Sequence, residues 1–558
     1  MCGIGGIIYK NGLHPNLLEL EKMQKALSTR GPDGHGLYTD KSVGLVHTRL
    51  SIIDSEGGHQ PMQDDKKRVI VFNGEIYNYV EIREQLKDKY PFKTQSDTET
   101  ILALYDVYGL DFINHLRGMY AIALYDASIE TLIIARDPFG IKPLYICNTP
   151  HFTAFASEPK ALLASGLAHE YLDIDVLRSV VRGNYIKGSA TPYTSIDRLG
   201  VGEMIVFERG QKTSISTRPS ISKDAPRSED EASALINLEK CLMDSVNVHC
   251  RSDVGYGVFL SGGVDSSTVM QILSKLNKGR TDIKSYTAYF DIDGASDERD
   301  YARAVANATG AQFYDVPFGR DDFFKLLPHI AAYMDDPVAD YAILPTWKLA
   351  SVAAQEQKVI LSGEGGDELF GGYGRYRKRW WKKPKPKSSL CAPNWSELQC
   401  AQAQDIAEYL PNDLLIKLDT CLMAHGLEGR TPFLDKVVSE FAFTLPDRLK
   451  LQGSTGKYLL KKWLDKELPI AKPFRKKQGF TVPVGHWMSS DAKNISDVLI
   501  HNQFVQDLLN KDDLSLIPKL MATPKSATQC WPILYLTLWH AGKAGEIHHG
   551  NVVEVIDN

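Results

Sequence analysis

The stretch Gly257-Val258-Phe259-Leu260-Ser261-Gly262-Gly263-Val264-Asp265-Ser266-Ser267 decides the fold of the second half of the chain. A short apolar run meets a turn of small residues, and helix-type periodicity resumes from about Ser266. The order is strand, tight loop, helix. Small residues let the backbone close around an anion, and the helix start adds N–H donors and a favourable dipole. A Walker-type phosphate loop is absent; its nearest candidate, Gly453–Lys457, has the wrong spacing.

Working outward, helical periodicity over Ala232–Val248 precedes this stretch, and further strands are expected at Ser285–Phe290 and Lys358–Leu361. Strands alternating with helices indicate an α/β domain with a doubly wound parallel sheet. From about Pro411 the chain reads as mostly helical. The first two hundred residues differ. Short β-type runs at Val69–Phe72, Met119–Tyr125 and Thr131–Ala135 are separated by turn residues at Asn73-Gly74, Asp126 and Asp137-Pro138. With helices at Leu18–Leu27 and Thr98–Tyr108, this half is α+β, built of stacked, mainly antiparallel sheets. Arg209–Glu231 is polar and poor in apolar residues, as a linker would be. The division is therefore 2–208, linker 209–231, and 232–558, with no internal repeat.

Of 558 residues, 43% are hydrophobic and 24% charged, which argues against a disordered or fibrous chain. The formal net charge of −5 gives no global basic field for nucleic acid. No apolar run approaches a membrane span, and the N-terminus lacks the basic and apolar regions of a signal peptide. The eight cysteines, at 2, 147, 241, 250, 391, 400, 421 and 530, make neither a CxxC pair nor zinc spacing. Free thiols and the reducing cytoplasm are the expectation. Arg375–Lys387 carries eight Lys/Arg around Trp380-Trp381; in a chain that is not otherwise basic it reads as a solvated surface loop.

Cys2 follows Met1 directly. Removal of Met1 would give Cys2 a free α-amine, whose pKa of about 7.7–8.0 suits it as the base for its own thiol. Four further elements follow: Arg30-Gly31-Pro32-Asp33-Gly34; Arg49 in His47–Asp54; Asn73-Gly74-Glu75; and Ser96-Asp97-Thr98-Glu99. Singly, each has a plainer use: a turn, a helix N-cap at Asp97, a surface ion pair at Arg49. Together, in this order, they resemble the class II (N-terminal-nucleophile) glutamine amidotransferases. That resemblance implies Cys2 as nucleophile. It implies an oxyanion hole from the Asn73 side chain and the Gly74 N–H, worth about 3–4 kcal/mol per donor. Arg49 would grip the glutamine α-carboxylate, and Asp97 and Glu75 its amino end.

Ser261-Gly262-Gly263-Val264-Asp265-Ser266 resembles the PP-loop of ATP pyrophosphatases. Downstream stand Ser362-Gly363-Glu364-Gly365-Gly366-Asp367-Glu368, Glu428-Gly429-Arg430-Thr431-Pro432-Phe433-Leu434-Asp435, Gly456-Lys457-Tyr458 and Lys477-Gln478-Gly479-Phe480. The whole ordered set resembles the glutamine-hydrolysing asparagine synthetase family over nearly the full chain. The resemblance implies that Ser261, Gly262, Gly263, Asp265 and Ser266 hold the pyrophosphate end of ATP. Asp265 and Asp367 would bind Mg²⁺. Leu260, Ala288, Ser362 and Gly363 would line the nucleoside pocket. Glu364 would be the general base toward ammonia, and Lys457 would stabilise phosphate charge.

The implied reaction is glutamine-dependent amidation of a carboxylate through an acyl-adenylate, with AMP and pyrophosphate released and ammonia passed internally. The carboxylate is aspartate, giving asparagine, or another carboxylic acid of a biosynthetic pathway. Partners are then small molecules, with no nucleic acid or membrane; a homodimer is compatible with the family. Ala288-Tyr289 and Tyr341 depart from the family pattern, and they bear on the substrate more than on the mechanism.

Overall fold

The structure is a computed structural model that describes residues 2–277, 283–290, 292, 298–377, 391–476, 482–543 and 552. Period-2 alternation builds its first half. Along the strand Arg68–Ile76, Val69 and Val71 point one way and Ile70 and Phe72 the other, and all four are buried. Both faces must therefore be covered. One face meets a second sheet, where Val69 and Val71 pack with Ile4, Ile8, Val43 and Leu45. The other meets helix Asp97–Tyr108 through Ile101 and Leu104.

The two sheets are six-stranded. In one, Gly3–Tyr9 lies between Phe152–Ala156 and Val43–Arg49. In the other, Gly118–Asp126 lies between Arg68–Ile76 and Thr131–Arg136. All these pairs are antiparallel. Helix Leu17–Ala26 covers the outer face of the first sheet through Leu20 and Met23. The result is a helix–sheet–sheet–helix stack, as the α+β reading expects.

Asn73 and Gly74 differ from their expected turn. They continue the strand, opposite Ala121 and Tyr120. Gly74 has φ +156°, and a Cβ there would stand 2.0 Å from the Met119 carbonyl oxygen. The glycine serves a close strand approach, not a reversal. Gln211–Thr217, placed in the linker by composition, is an edge strand on Glu203–Glu208. All seven of its residues are exposed, which is why it reads as loop.

The second half is a five-stranded parallel sheet in the order Gln312–Pro317, Lys284–Tyr289, Tyr256–Phe259, Val359–Leu361, Glu428–Arg430. The outer two strands were not read from the sequence. The order reverses between Tyr256–Phe259 and Val359–Leu361, and the loops leaving these two strands diverge into a crevice. Helix Val264–Leu276 starts at that crevice. Helices fill the C-terminal part. Trp531 and Trp539 of Trp531–Lys543 are buried, their indole N–H groups donating to the Ala339 and Met334 carbonyls at 2.6 and 2.7 Å.

One cysteine expectation fails: Cys391 and Cys400 are joined as a disulfide, their Cα atoms 5.1 Å apart, within the normal span of the bond. Nine residues of sequence separation gave no signal for it. The basic stretch around Trp380-Trp381 and the motif Lys477–Phe480 fall almost wholly, and wholly, outside the described residues.

Buried ion pairs join the halves. Arg198 forks onto Asp336 at 2.6 and 2.5 Å, where the Tyr145 hydroxyl also donates at 2.9 Å. Removing one partner of such a pair strands the other charge, at a cost of about 3–5 kcal/mol. Arg198→Met should lower the urea midpoint accordingly, and adding Asp336→Asn should recover part of the loss. An unshifted midpoint for Arg198→Met would show the pair to be dispensable.

Candidate active sites

The thiol end is built where the two sheets of the first half meet. Cys2 leads into the strand Gly3–Tyr9, and its N–H donates to Asn73 Oδ1 at 3.1 Å. Arg30 Nε donates to the Cys2 carbonyl at 3.1 Å. Asn73 is fully buried, and its Nδ2 has no partner. A buried amide donor with nothing to bind is costly, and it is what an oxyanion hole requires before substrate arrives.

Cys2, Arg49, Gly74, Glu75 and Asp97 line one small cavity. Arg49 closes a strand and is no surface ion pair. Its guanidinium donates to the Ser55 and Asp54 carbonyls at 2.8 and 2.5 Å. The N-cap of helix Asp97–Tyr108 is Ser96, so Asp97 is free of that duty. It accepts the Ile76 N–H at 2.9 Å. One wall belongs to the other half of the chain: Glu428 also lines the cavity.

Burial governs the charges here. It pushes the Cys2 thiol up, against the pull of the Leu50 N–H and Arg49. Burial also pushes Asp97 up to about 6, with Glu428 adding to it and the Ile76 N–H opposing. Glu75 is driven well above the carboxylate range by burial, although Arg430 pulls it down. For Glu428 burial is outweighed: Arg430, 2.6 Å away, holds it below its ordinary value.

The second cavity, of about 380 Å³, occupies the crevice at the sheet's switch point. It gathers Leu260, Ser261, Gly262, Gly263, Asp265, Ser266, Ala288, Ser362, Gly363, Glu364, Asp367 and Lys457. Within the loop, the Ser261 N–H donates to Ser266 Oγ at 3.2 Å, and the Gly263 N–H donates to Ser261 Oγ at 3.2 Å. Gly263 caps the helix without a side-chain bond, which leaves the first-turn N–H groups facing the cavity. A Cβ on Gly366 would lie 2.5 Å from Asp265 Oδ1, so glycine there is what lets the two loops meet.

Lys457 is buried rather than a surface lysine. Its Nζ bonds Asp265 and sits 2.7 Å from Asp367 Oδ1. The two carboxylates outweigh burial and raise its proton affinity. Its backbone is left-handed, φ +55°, a strained conformation that surrounding structure must hold. Glu364 is raised by burial and by Asp340, Asp367 and Asp265, with Lys417 opposing. Glu368 is pushed up to about 8, mainly by burial and then by Asp367. Lys417, Glu368 and Arg475 line this cavity too, and the sequence had assigned them nothing. Arg475 secures the loop by donating to the Gly262 carbonyl at 3.0 Å.

Between the cavities stands Arg430. Its guanidinium meets Glu428 at 2.6 Å and Glu75 at 3.1 Å, and donates to the His249 and Arg251 carbonyls at 2.7 Å each. Its own carbonyl accepts the Ser362 N–H at 2.9 Å. The motif Glu428–Asp435 was visible in sequence, but its place between two sites was not. A larger cleft, about 1080 Å³, lies beside Arg218–Arg227 and is lined by none of the predicted site residues.

A raised carboxyl costs stability once it ionises. Asp97 shifts from an ordinary value near 3.9 to about 6. Folding is then unpenalised below about pH 4, loses stability between pH 4 and 6, and carries a penalty of about 3 kcal/mol above. Asp97→Asn should melt higher than the parent at pH 7, with the gap closing below pH 4, while losing glutamine-dependent activity. A pH-independent gap would refute the assignment.

Comparison with known proteins agrees in both halves. The asparagine synthase family profile matches residues 237–541, and the glutamine amidotransferase domain profile matches residues 1–218. Glutamine-hydrolysing asparagine synthetase 1 of Bacillus subtilis is 32% identical, covering 97% of this chain and 96% of its own. Asparagine synthetase B of Escherichia coli, also glutamine-hydrolysing, is 31% identical over 90% of this chain and 86% of its own. Amidase chry2 of Gibberella zeae is 33% identical over 68% and 60%.

Proposed function

Because the chain belongs to the asparagine synthase family and is an ATP-dependent, glutamine-hydrolysing amide ligase, we propose that it converts aspartate to asparagine through an acyl-adenylate. The observation that carries this reading is the second cavity. A pyrophosphatase-type loop, a buried carboxyl of raised proton affinity and a two-carboxylate lysine meet in one crevice.

In the first half, residues 2–208 by the sequence division and extended by the strand to Thr217, Cys2 attacks the δ-carbonyl of glutamine. The C–N bond breaks, ammonia leaves, and water then releases glutamate from the thioester. The developing oxyanion falls to Asn73 Nδ2 and the Gly74 N–H. The amine of Cys2, exposed by loss of Met1, takes the thiol proton. Arg49 orients the α-carboxylate, and Asp97 with Glu75 the amino end.

In the second half, residues 232–558, Ser261, Gly262, Gly263 and Ser266 hold the pyrophosphate of ATP while a carboxylate oxygen attacks the α-phosphorus. Pyrophosphate leaves, and Leu260, Ala288, Ser362 and Gly363 hold the nucleoside. Ammonia then attacks the acyl carbon and AMP departs. Glu364 accepts the surplus proton, for which burial fits it. Lys457 stabilises phosphate charge.

Asp265 and Asp367 fit Mg²⁺, because two hard carboxylate oxygens converge on one cationic point beside the phosphate loop. Among the described residues no cluster of three or more His, Cys, Asp or Glu is arranged to hold a metal alone. Phosphate and water would complete the shell, and the bound ion would neutralise phosphate charge.

The likeness to an amidase, with Tyr341 beside the cavity-lining Ala342, supports a second reading in which another carboxylic acid is amidated. A panel of acids with ATP and ammonia, read by pyrophosphate release, separates the two. Turnover of aspartate at background level would remove the first reading.

Two variants test the division of labour. Cys2→Ala should abolish glutamine-dependent synthesis and retain synthesis from added ammonium; glutamine-dependent product from it would end the nucleophile assignment. Glu364→Gln should cut amide formation by about 10²–10⁴-fold while pyrophosphate release partly survives. Equal loss of both products would make Glu364 structural.

A further inference from the structure

The loop 50–58 follows Arg49 and supplies much of the wall of the thiol cavity, through Leu50, Ile52, Ile53 and Gly58. Arg49 folds back on it and donates to the Ser55 and Asp54 carbonyls at 2.8 and 2.5 Å. The aim of that guanidinium therefore depends on where the loop stands. Asp54 is left-handed, φ +49°, a conformation that surrounding contacts must hold.

The other half of the chain supplies such contacts. The Asp253 N–H donates to the Ile52 carbonyl at 3.0 Å, and Asp253 Oδ2 accepts the Asp54 N–H at 2.8 Å. Asp253 thus brackets Ile53 from both sides. Lys358 acts one step removed. Its Nζ meets Asp33 Oδ2 at 2.7 Å, and that same oxygen accepts the Ser51 N–H at 2.8 Å. Apolar packing runs the same way, since Leu50, Ile52 and Ile53 belong to the buried cluster that holds Val258, Val359 and Leu434. Asp253 and Lys358 stand just ahead of Tyr256–Phe259 and Val359–Leu361, the two paired strands whose far ends open into the second cavity. Asp253 is exposed and Lys358 partly so, so replacing either opens no cavity in the core.

We propose that Asp253 and Lys358 are positioning residues for glutamine hydrolysis: from the second half of the chain they fix loop 50–58, and with it Arg49, against the thiol cavity. The proposal rests on the reading of that cavity as a glutamine site. Neither residue touches the reacting atoms. Their effect falls on the grip of the substrate, because a guanidinium fork binds a carboxylate well only in the matching orientation.

Ammonia release from glutamine is followed in the full-length parent, Asp253→Ala, Asp253→Asn, Lys358→Met and Lys358→Arg. Asp253→Ala should raise KM for glutamine about five- to tenfold, the scale of one partly exposed hydrogen bond to a charged group. Its kcat should stay within about twofold, the signature of lost substrate binding. Asp253→Asn keeps an acceptor oxygen for the Asp54 N–H and should hold KM within about twofold of the parent. Lys358→Met should raise KM about threefold, and Lys358→Arg, which keeps the charge toward Asp33, should not. An unchanged KM in Asp253→Ala, a rise that Asp253→Asn shares in full, or a change confined to kcat would overturn the positioning role. The Lys358 pair tests the clamp independently if an Asp253 variant fails to fold. A parent that releases no ammonia from glutamine would instead remove the glutaminase reading, and the proposal with it.

Discussion

Arg430 is a full positive charge with no exposure to solvent. A charge in that position is tolerated only when every face of it is paired. Glu428 meets it from its own strand, Glu75 from the other half of the chain, and the His249 and Arg251 carbonyls from the helix end behind. The architecture follows from meeting this demand. The end strand of the parallel sheet must abut the strand that carries Asn73, Gly74 and Glu75. Once it does, the thiol cavity and the crevice at the switch point lie on opposite sides of one buried ion network.

The same strand serves the second site through its backbone. The Arg430 carbonyl accepts the Ser362 N–H, and Ser362 begins the loop that carries Glu364 and Asp367. Across the switch point, the PP-loop carries Asp265. Glycine at 366 removes the atom that would keep the loops apart, and Lys457 binds both carboxylates. A lysine between two acids ties the two loops together, and its strained backbone is held by burial on all sides.

Buried carboxyls divide the chemistry by environment rather than by residue type. Glu364 and Glu368 lie in a crowd of like charges and take protons readily. Glu428, against a guanidinium, gives its proton up. The first property follows from burial among like charges, and the second from a guanidinium at contact distance.

Local pattern alone determined the two fold classes, because strand alternation, helical periodicity and glycine-rich turns are written in neighbouring residues. It also singled out Cys2, the Ser261–Ser266 loop and Glu364, which sit in contiguous motifs. It misread Asn73-Gly74 as a turn, since only the opposing Met119 carbonyl shows why a glycine belongs inside a strand. It read Gln211–Thr217 as linker, since an exposed edge strand has no apolar face. The roles of Glu428, Arg430 and Lys417 were closed to it for a deeper reason. Each depends on charges that lie up to hundreds of residues away in the chain, as Glu75 does from Arg430. Burial and pairing are properties of the packed molecule, so the tertiary structure alone decided which acids are raised and which lowered, which lysine bridges, and which half of the chain walls the other's cavity.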